Sequence, residues 1–307
     1  MFILNTKPPH LGHRRNSQMT TKACKKFHAI DSELACEVKS KDSPIDTSDD
    51  MHNHSCHEVL IVLNGHINIY TEYSGTNLKR GDAVLIPMYV FHNGDLLDKE
   101  RYDRIVINVS ENVLKKASSP QMDLNSCFVP YNDNSMHTIH FEDDELEDIE
   151  KYARNLQKNI MSTEAGADIA ADAFLKLIMI KVNSHYSKSA MTFYPNTMPE
   201  LVRKTFDYVD KHLTENISLS MLESEIHNNG TYISRCLKKI SGLSLSQYII
   251  AKRITLACKL LKEGKNASDA CYMSGFNNYS NFSRTFTKQV GKSPKRFQLE
   301  CRKSQKT

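Results

Sequence analysis

The most constraining feature of this sequence is a pattern that occurs twice in its last hundred residues. Ser220 followed by Glu223 reads as a capping box that opens a short helix ending near His227. His227-Asn228-Asn229-Gly230 then reads as a turn. From Thr231 to Ile240 a second helix places Ile233 and Leu237 on its inner face, and Gly242 stops it. The pattern returns with a short helix over Ser268–Met273, a turn at Ser274-Gly275-Phe276-Asn277, and Asn278 as the cap of a helix carrying Phe282, Arg284 and Phe286, closed by Gly291. The second helices even share a phrase, Tyr232-Ile233-Ser234-Arg235 and Asn281-Phe282-Ser283-Arg284. Between the two units a long helix is expected from about Ser244 to Glu263, with Gly264 just beyond it. A helix of about 20 residues is roughly 30 Å long, and one turn of B-DNA is about 34 Å. A stiff connector of that length sets both second helices into successive major grooves on one face of a duplex.

Charge agrees with that placement. The chain of 307 residues has a net charge of +4, unevenly spread. From Leu201 onward there are 19 basic and 8 acidic residues, against 21 and 28 in the first 200. One basic module on an acidic remainder implies a polyanion partner for the C-terminal part. No stretch reaches the roughly 18 apolar residues that span a bilayer. The nearest, around Phe174 to Val182, is broken by Lys176 and Lys181. No apolar core with a small-residue cleavage site follows the N-terminus, so a cytoplasmic chain without membrane contact is expected. The start codon is open, because Met19 would also serve. Eight cysteines, none in a Cys-x-x-Cys pair, read as reduced thiols rather than zinc ligands or a disulfide framework.

Residues 200–301 closely resemble the DNA-binding domain of the AraC/XylS family. The resemblance is carried by Tyr232-Ile233-Ser234-Arg235 with Lys238-Lys239, Ser241-Gly242-Leu243-Ser244, Tyr248 and Arg253. Its strongest piece runs from Gly275 through Asn277-Asn278-Tyr279 to Phe286, and on to Gly291-Lys292-Ser293-Pro294. Leu237 and Leu245 stand where the family usually has Phe, and Asp269-Ala270-Cys271 where it usually has Glu-Ile-Ala; these are packing positions. The resemblance implies that Thr231, Ser234 and Arg235 face DNA from the first unit, and Tyr279, Ser280, Asn281, Ser283 and Arg284 from the second. Arg235 and Arg284 suit guanine or phosphate. Lys238, Lys239, Lys288, Lys292, Lys295 and Arg296 are expected on phosphates, where they add affinity without reading sequence. Phe276, Phe282 and Phe286 are expected in the core.

The N-terminal part reads differently. Residues 1–50 are expected to be a largely irregular arm with at most one short strand. Val59-Leu60-Ile61-Val62-Leu63, closed by Asn64-Gly65, reads as a buried strand, and His66 to Thr71 alternates with period two. Ala83 to Ile86 and Ile105 to Ile107 add short strands, so residues 51–140 predict a small β-barrel or sandwich. His52-x-His54-x-x-x-Glu58, then Gly65, and later Gly81, Pro87 and His92 resemble the cupin motifs, although Tyr89 stands where the second usually has Gly. By that resemblance His52, His54, Glu58 and His92 occupy the positions that bind metal in cupin enzymes, and would suit Fe, Mn, Zn, Ni or Cu. The alternative is a pocket for a small-molecule effector, lined by His52, His54, Glu58, Tyr70 and His92. His66, Asn68, Tyr70 and Glu72 face either that cavity or solvent. Residues 141–186 predict two amphipathic connector helices that either form a dimer interface or pack on the barrel. Residues 187–199 predict a linker, and 302–307 a basic tail.

The expected whole is an α+β multidomain protein with a cupin-like sensor barrel, a helical connector and an all-α domain holding helix-turn-helix units at about 220–241 and 268–291. The expected function is sequence-specific transcription regulation, an activator in contact with RNA polymerase by family resemblance, with repression as the alternative. Its partners would be duplex DNA and a small-molecule effector, with a second copy of the chain as a further candidate. No cofactor is required by that reading, and a divalent metal in the barrel is the optional one. No enzyme activity is expected: the chain has no P-loop, no G-x-G-x-x-G and no Ser-His-Asp signature. A metal-dependent cupin enzyme tethered to DNA and an architectural DNA binder are the competing readings.

Overall fold

A computed structural model describes residues 27–28, 33–41, 50–97, 101–128, 137–189 and 196–304. Two sheets face each other in the N-terminal part. The larger has the order β10-β7-β4-β9-β2, from His137–His140, Asp82–Ile86, His57–Asn64, Tyr102–Val109 and Leu34–Lys41. All its pairings are antiparallel. The smaller has the order β6-β5-β8, from Gly75–Leu78, Ile67–Thr71 and His92–Leu96. A short parallel pair joins β1, Phe27–His28, to β3, Asn53–His54.

The continuous apolar run of β4 follows from this layering. Val59, Ile61 and Leu63 point outward into a core shared with two helices, α2 (Asp143–Ile160) and α3 (Ala167–Ser189). Leu60 and Val62 point inward, against Ile67 and Ile69 of the facing sheet. A strand buried on both faces has no polar side to alternate with. Leu146, Ile149, Ala153 and Leu156 bring α2 onto the sheet, and Leu175, Ile178, Met179 and Val182 bring α3. One face of each connector helix therefore packs on the barrel. Leu177 and Ile180 on α3 remain 42% and 43% exposed, so the other face of that helix is open.

Several boundaries differ from the sequence expectations. Leu34–Lys41, placed in an irregular arm, is an eight-residue edge strand paired along its length with β9. Its residues alternate weakly because only Cys36 is fully buried, so the period-two signal is faint. The rest of the arm, apart from 27–28, 33 and 50, lies outside the described residues, as do 190–195 of the linker. The linker's end is pinned to β6: Thr197 N donates to Gly75 O at 2.8 Å, and Gly75 N to Asn196 Oδ1 at 2.9 Å. A short helix, α1 (Glu111–Ala117), follows β9, capped by Ser110. At the C-terminus a helix over Pro294–Ser304 takes in the start of the expected tail, because Phe297 packs against the second unit and Gln298 Nε2 donates to Lys265 O at 2.5 Å. Residues 305–307 lie outside the described set.

The C-terminal helices are α4 (Glu200–Lys211), α5 (Leu219–Ile226), α6 (Gly230–Ser241), α7 (Leu245–Lys262), α8 (Ala267–Met273), α9 (Tyr279–Val290) and α10 (Pro294–Ser304). The cap of α5 is a correction: Ser218, not Ser220, accepts from the helix, at Met221 N. Glu223 instead reaches forward to Gly230 N, 2.5 Å away, and so braces the start of α6. The expected caps at Asn278 and Gly291 stand, with Gly291 in the left-handed region at φ 81°. Ser244 and Gln247 form a capping box on α7. Among the described residues no helix is long and apolar enough to cross a membrane.

Candidate nucleic-acid interface and barrel site

α6 and α9 are amphipathic for the reason the sequence suggested. Ile233 and Leu237 are buried on α6, and Phe282, Phe286 and Val290 on α9. The opposite faces carry the expected DNA-facing groups. Thr231, Arg235, Lys238 and Lys239 are exposed on α6, with Ser234 half-buried. Tyr279, Ser280, Asn281, Arg284 and Lys288 are exposed on α9, with Ser283 half-buried. The caps aim both helices: Asn229 Oδ1 accepts from Thr231 N at 3.0 Å, and Asn278 Oδ1 from Asn281 N at 2.9 Å. The Arg235 guanidinium lies 5.5 Å from the centroid of the exposed Tyr232 ring, which supports it on the outer face. Lys292 and Arg296 share Glu300, at 2.8 and 3.2 Å, so their charge is partly engaged within the chain, whereas Lys295 is exposed. α7 holds the units together. Tyr248 and Ile249 near its start join the first unit's core, and Ile254, Ala257 and Leu261 join the second's. Arg253 ties it to the loop after α4, donating to Leu213 O at 2.8 Å and Glu215 O at 2.5 Å.

In the barrel, His54, Glu58 and His92 converge, each buried, with their candidate donor atoms within 4.8 Å of one another. β3, β4 and β8 supply them, and an antiparallel bridge between His52 and His92 brings the fourth residue alongside, its ring 4.6 Å from that of His92. The rings are held from behind. Nδ1 of His54 donates to Cys56 O at 2.8 Å, and Nδ1 of His92 to Val90 O at 3.0 Å. Nδ1 of His52 makes the same kind of bond to Asp50 O at 3.1 Å. A carbonyl only accepts, so each Nδ1 carries hydrogen, and Nε2 of a neutral ring is left as a lone pair. His54 Nε2 lies 2.9 Å from Glu58 Oε2, and His92 Nε2 lies 3.8 Å from it, buried without a hydrogen-bond partner. Lone pairs converging on a carboxylate require a cation between them, either a proton or a metal. Burial pushes the Glu58 carboxyl up, but the bonds and charge of His54 and His92 outweigh it and hold it well below the usual range. Burial pushes His92 down, and Glu58 more than compensates.

His52, Glu58 and His92, but not His54, line a cavity of about 160 Å3 between the sheets, together with Leu60, Ile67, Ile69, Tyr102 and Arg104. Tyr70, expected here, is elsewhere. Ile67 and Ile69 take the inward positions of β5, so period two turns Tyr70 outward to pack beside Met198 and Val202. Asn68 likewise bonds Asn77 at 3.2 Å on the outer side. Tyr102 and Arg104 were missed because only 105–107 read as a strand; carried back along β9, the alternation of Val106 places both inside.

The barrel is also joined to the helical domain. Glu72, 1% exposed, accepts from Phe91 N at 3.0 Å and pairs with Lys252 of α7. Lys252 also reaches Asp210, at 2.7 Å, and Tyr248 Oη donates to Glu72 at 3.3 Å. Burial pushes Lys252 down, but Glu72 and Asp210 hold it above its ordinary value. Asn53 Nδ2 donates to Thr255 Oγ1 at 2.8 Å. Tyr89, where the cupin pattern has Gly, adopts the left-handed conformation with φ 66°. That is uncommon for a bulky residue. Its ring packs against the second unit's core, with Lys262 Nζ 5.1 Å from the centroid.

Residues 224–300 match the family described as a helix-turn-helix domain. The chain is similar to the bifunctional transcriptional activator/DNA repair enzyme AdaA of Bacillus subtilis, 34% identical over 92 residues, 30% of this chain and 44% of that protein. It is also similar to an uncharacterized HTH-type transcriptional regulator of the same organism, YbfI, 23% identical over 201 residues, 65% of this chain and 69% of that protein. ToxT from Vibrio cholerae O395 is a similar solved structure, with 16% identity and a TM-score of 0.38, covering 87% of this chain and 97% of that one. The chain spans less than half the length of AdaA.

Proposed function

We propose that the C-terminal third, which matches a helix-turn-helix family over residues 224–300, is an AraC/XylS-type DNA-binding domain, and that the chain is a cytoplasmic, sequence-specific transcription regulator controlled by a small molecule in its barrel. The single observation that carries this reading is the pair of capped helices, α6 and α9, each with a buried apolar face and with Arg235 or Arg284 exposed on its outer face, joined by one connector helix. Both would enter the major groove, with Lys238, Lys239, Lys288 and Lys295 on flanking phosphates. The joined barrel supplies the control. A ligand that prefers one arrangement of barrel and helices shifts the population toward it. Activation through RNA polymerase follows from the family resemblance, and the open face of α3 is where a second copy would dock.

Selection of bound fragments from genomic DNA, followed by affinity against salt concentration, tests this. A motif of two short blocks about one helical turn apart is expected. Weak binding without a motif, driven by salt alone, overturns the reading.

A second reading rests on the ring orientation. Three imidazoles anchored through Nδ1 on main-chain carbonyls match the outer-shell support that metal-bound histidines receive. His54, His92 and Glu58, with His52 beside them, fit a divalent first-row metal, which would supply Lewis acidity or a structural tie in the barrel. Elemental analysis of the protein purified without chelator decides it: less than a tenth of an equivalent of any such metal, unchanged in His92→Ala, removes this reading.

A further inference from the structure

The cavity between the sheets has two unlike ends. Its wall is aliphatic, made by Leu60, Ile67, Ile69, Ile86 and Val106. Glu58 and His92 close one end. Tyr102 and Arg104 close the other, brought inward by the alternation of β9, whose Ile105 and Ile107 face the connector helices. Asn108 of β9 pairs with Glu58, and Arg104 with Val62. Four residues of strand, about 13 Å, separate the two ends along the backbone.

Among the described residues Arg104 has no counter-charge. Its guanidinium lies 5.0 Å from the centroid of the Tyr102 ring, and no carboxylate among the described residues is within ion-pairing distance. Tyr102 is 3% exposed, and its hydroxyl is buried without a hydrogen-bond partner. A half-buried positive charge beside a buried, unused hydroxyl donor at the cavity wall favours an anionic partner. A planar guanidinium and a hydroxyl together complement a carboxylate. The other end disfavours one, because Glu58 already places a negative charge there. Size narrows the choice further: about 160 Å3 is comparable with the engineered apolar cavity of about 150 Å3 that admits benzene.

We propose that the barrel cavity binds a small monocarboxylate, its carboxylate on the Arg104 guanidinium and the Tyr102 hydroxyl and its apolar body along Leu60, Ile67, Ile69, Ile86 and Val106. This names the ligand class of the barrel and rests on the reading of that barrel as the effector domain. The bound acid neutralises Arg104 and leaves Glu58 and the histidines facing the ligand's far end.

The test is calorimetric titration of the full chain with hexanoate and with hexanamide, which match in size and differ in charge. Hexanoate is expected to bind at least tenfold more tightly than hexanamide. Arg104→Gln should lose at least tenfold for hexanoate while leaving hexanamide unchanged, and Tyr102→Phe should lose less. Arg104→Lys, which keeps the charge but not the fork, should fall between wild type and Arg104→Gln, and covers the case in which Arg104→Gln fails to fold. Equal affinity for the two probes, no binding of hexanoate, or hexanoate binding indifferent to Arg104 overturns the proposal. Binding of hexanamide or a hexose in place of hexanoate overturns the carboxylate and leaves the effector pocket standing. Arg104-dependent binding of hexanoate that leaves operator affinity unchanged supports the site and counts against the regulatory reading instead.

Discussion

The second helix of the first unit, α6, is hydrogen-bonded to the barrel, whereas α9 of the second unit has no such bond among the described residues. At the end of α6, Ser241 O accepts from Met51 N at 2.7 Å, and Ile240 O from Asn93 Nδ2 at 2.6 Å. The last carbonyls of a helix have no partner within it, so the barrel completes α6. The neighbours of these donors are the candidate ligands themselves, His52 beside Met51 and His92 beside Asn93. α9 has no such bond among those described. It lies near the backbone of β1, and its core receives the Tyr89 ring. Directional bonds fix α6 and α7 on the barrel, and α9 is reached through α7. A change at the histidines therefore reaches α6 directly and α9 at one remove.

The largest expected effect tests the buried charges behind that difference. Glu72→Gln leaves Lys252 with Asp210 alone and should cost about 3–5 kcal/mol of stability. Hydrogen exchange should rise in α6 and the first half of α7 more than in α9. Equal loss of protection in α9 would break the comparison.

Next in size is the acid response, which separates barrel from helices. His57 is stacked on Phe128, with ring centroids 4.3 Å apart, and burial lowers its pKa from 6.5 to about 4, with His54 adding to the shift and Glu111 opposing it. Above pH 6.5 the ring is neutral in both states and contributes nothing. As pH falls from 6.5 toward 4, the unfolded chain takes the proton first and stability is lost. The shift sets an upper bound of about 3 kcal/mol. The urea midpoint of wild type should drop more than that of His57→Phe between pH 7 and pH 4.5. Parallel drops would remove His57 as the cause.

Reading of bases should be symmetric where anchoring is not. Arg235→Ala and Arg284→Ala should each weaken the selected DNA site by about 1–3 kcal/mol, with the fold intact. Asn93→Ala should sharpen the contrast by diminishing the contribution of Arg235 and sparing that of Arg284. Unchanged affinity in Arg284→Ala would sink its assignment. The smallest effect belongs to Lys295→Ala, expected to weaken specific and nonspecific DNA alike and to reduce the salt slope by about 1. A loss confined to one sequence would contradict a phosphate contact.

Legibility in the sequence followed local chemistry. Helix ends at Asn278, Gly242 and Gly291 were readable because caps and left-handed glycines act within a few residues. Ser220 misled because Ser218 also precedes the helix, and the spacing to Glu223 fits a box that the fold uses for Gly230 instead. The strand at 34–41 was hidden because most of its pairing energy lies with β9, far along the chain. Tyr70 was assigned to the cavity from alternation alone, which gives the period but not which phase faces inward.

By itself the sequence determined that the C-terminal third makes two capped helix pairs on one connector, with basic outer faces, because periodicity, caps and charge are local properties. It also marked His52, His54, Glu58 and His92 as a set. Only the tertiary structure decided that three of these meet within 4.8 Å, that Arg104 faces the chamber that Glu58 and His92 line, and that Asn93 at the chamber's rim caps α6. Those relations join residues on different strands and domains, and side-chain direction across a packed interface is set by the packing itself.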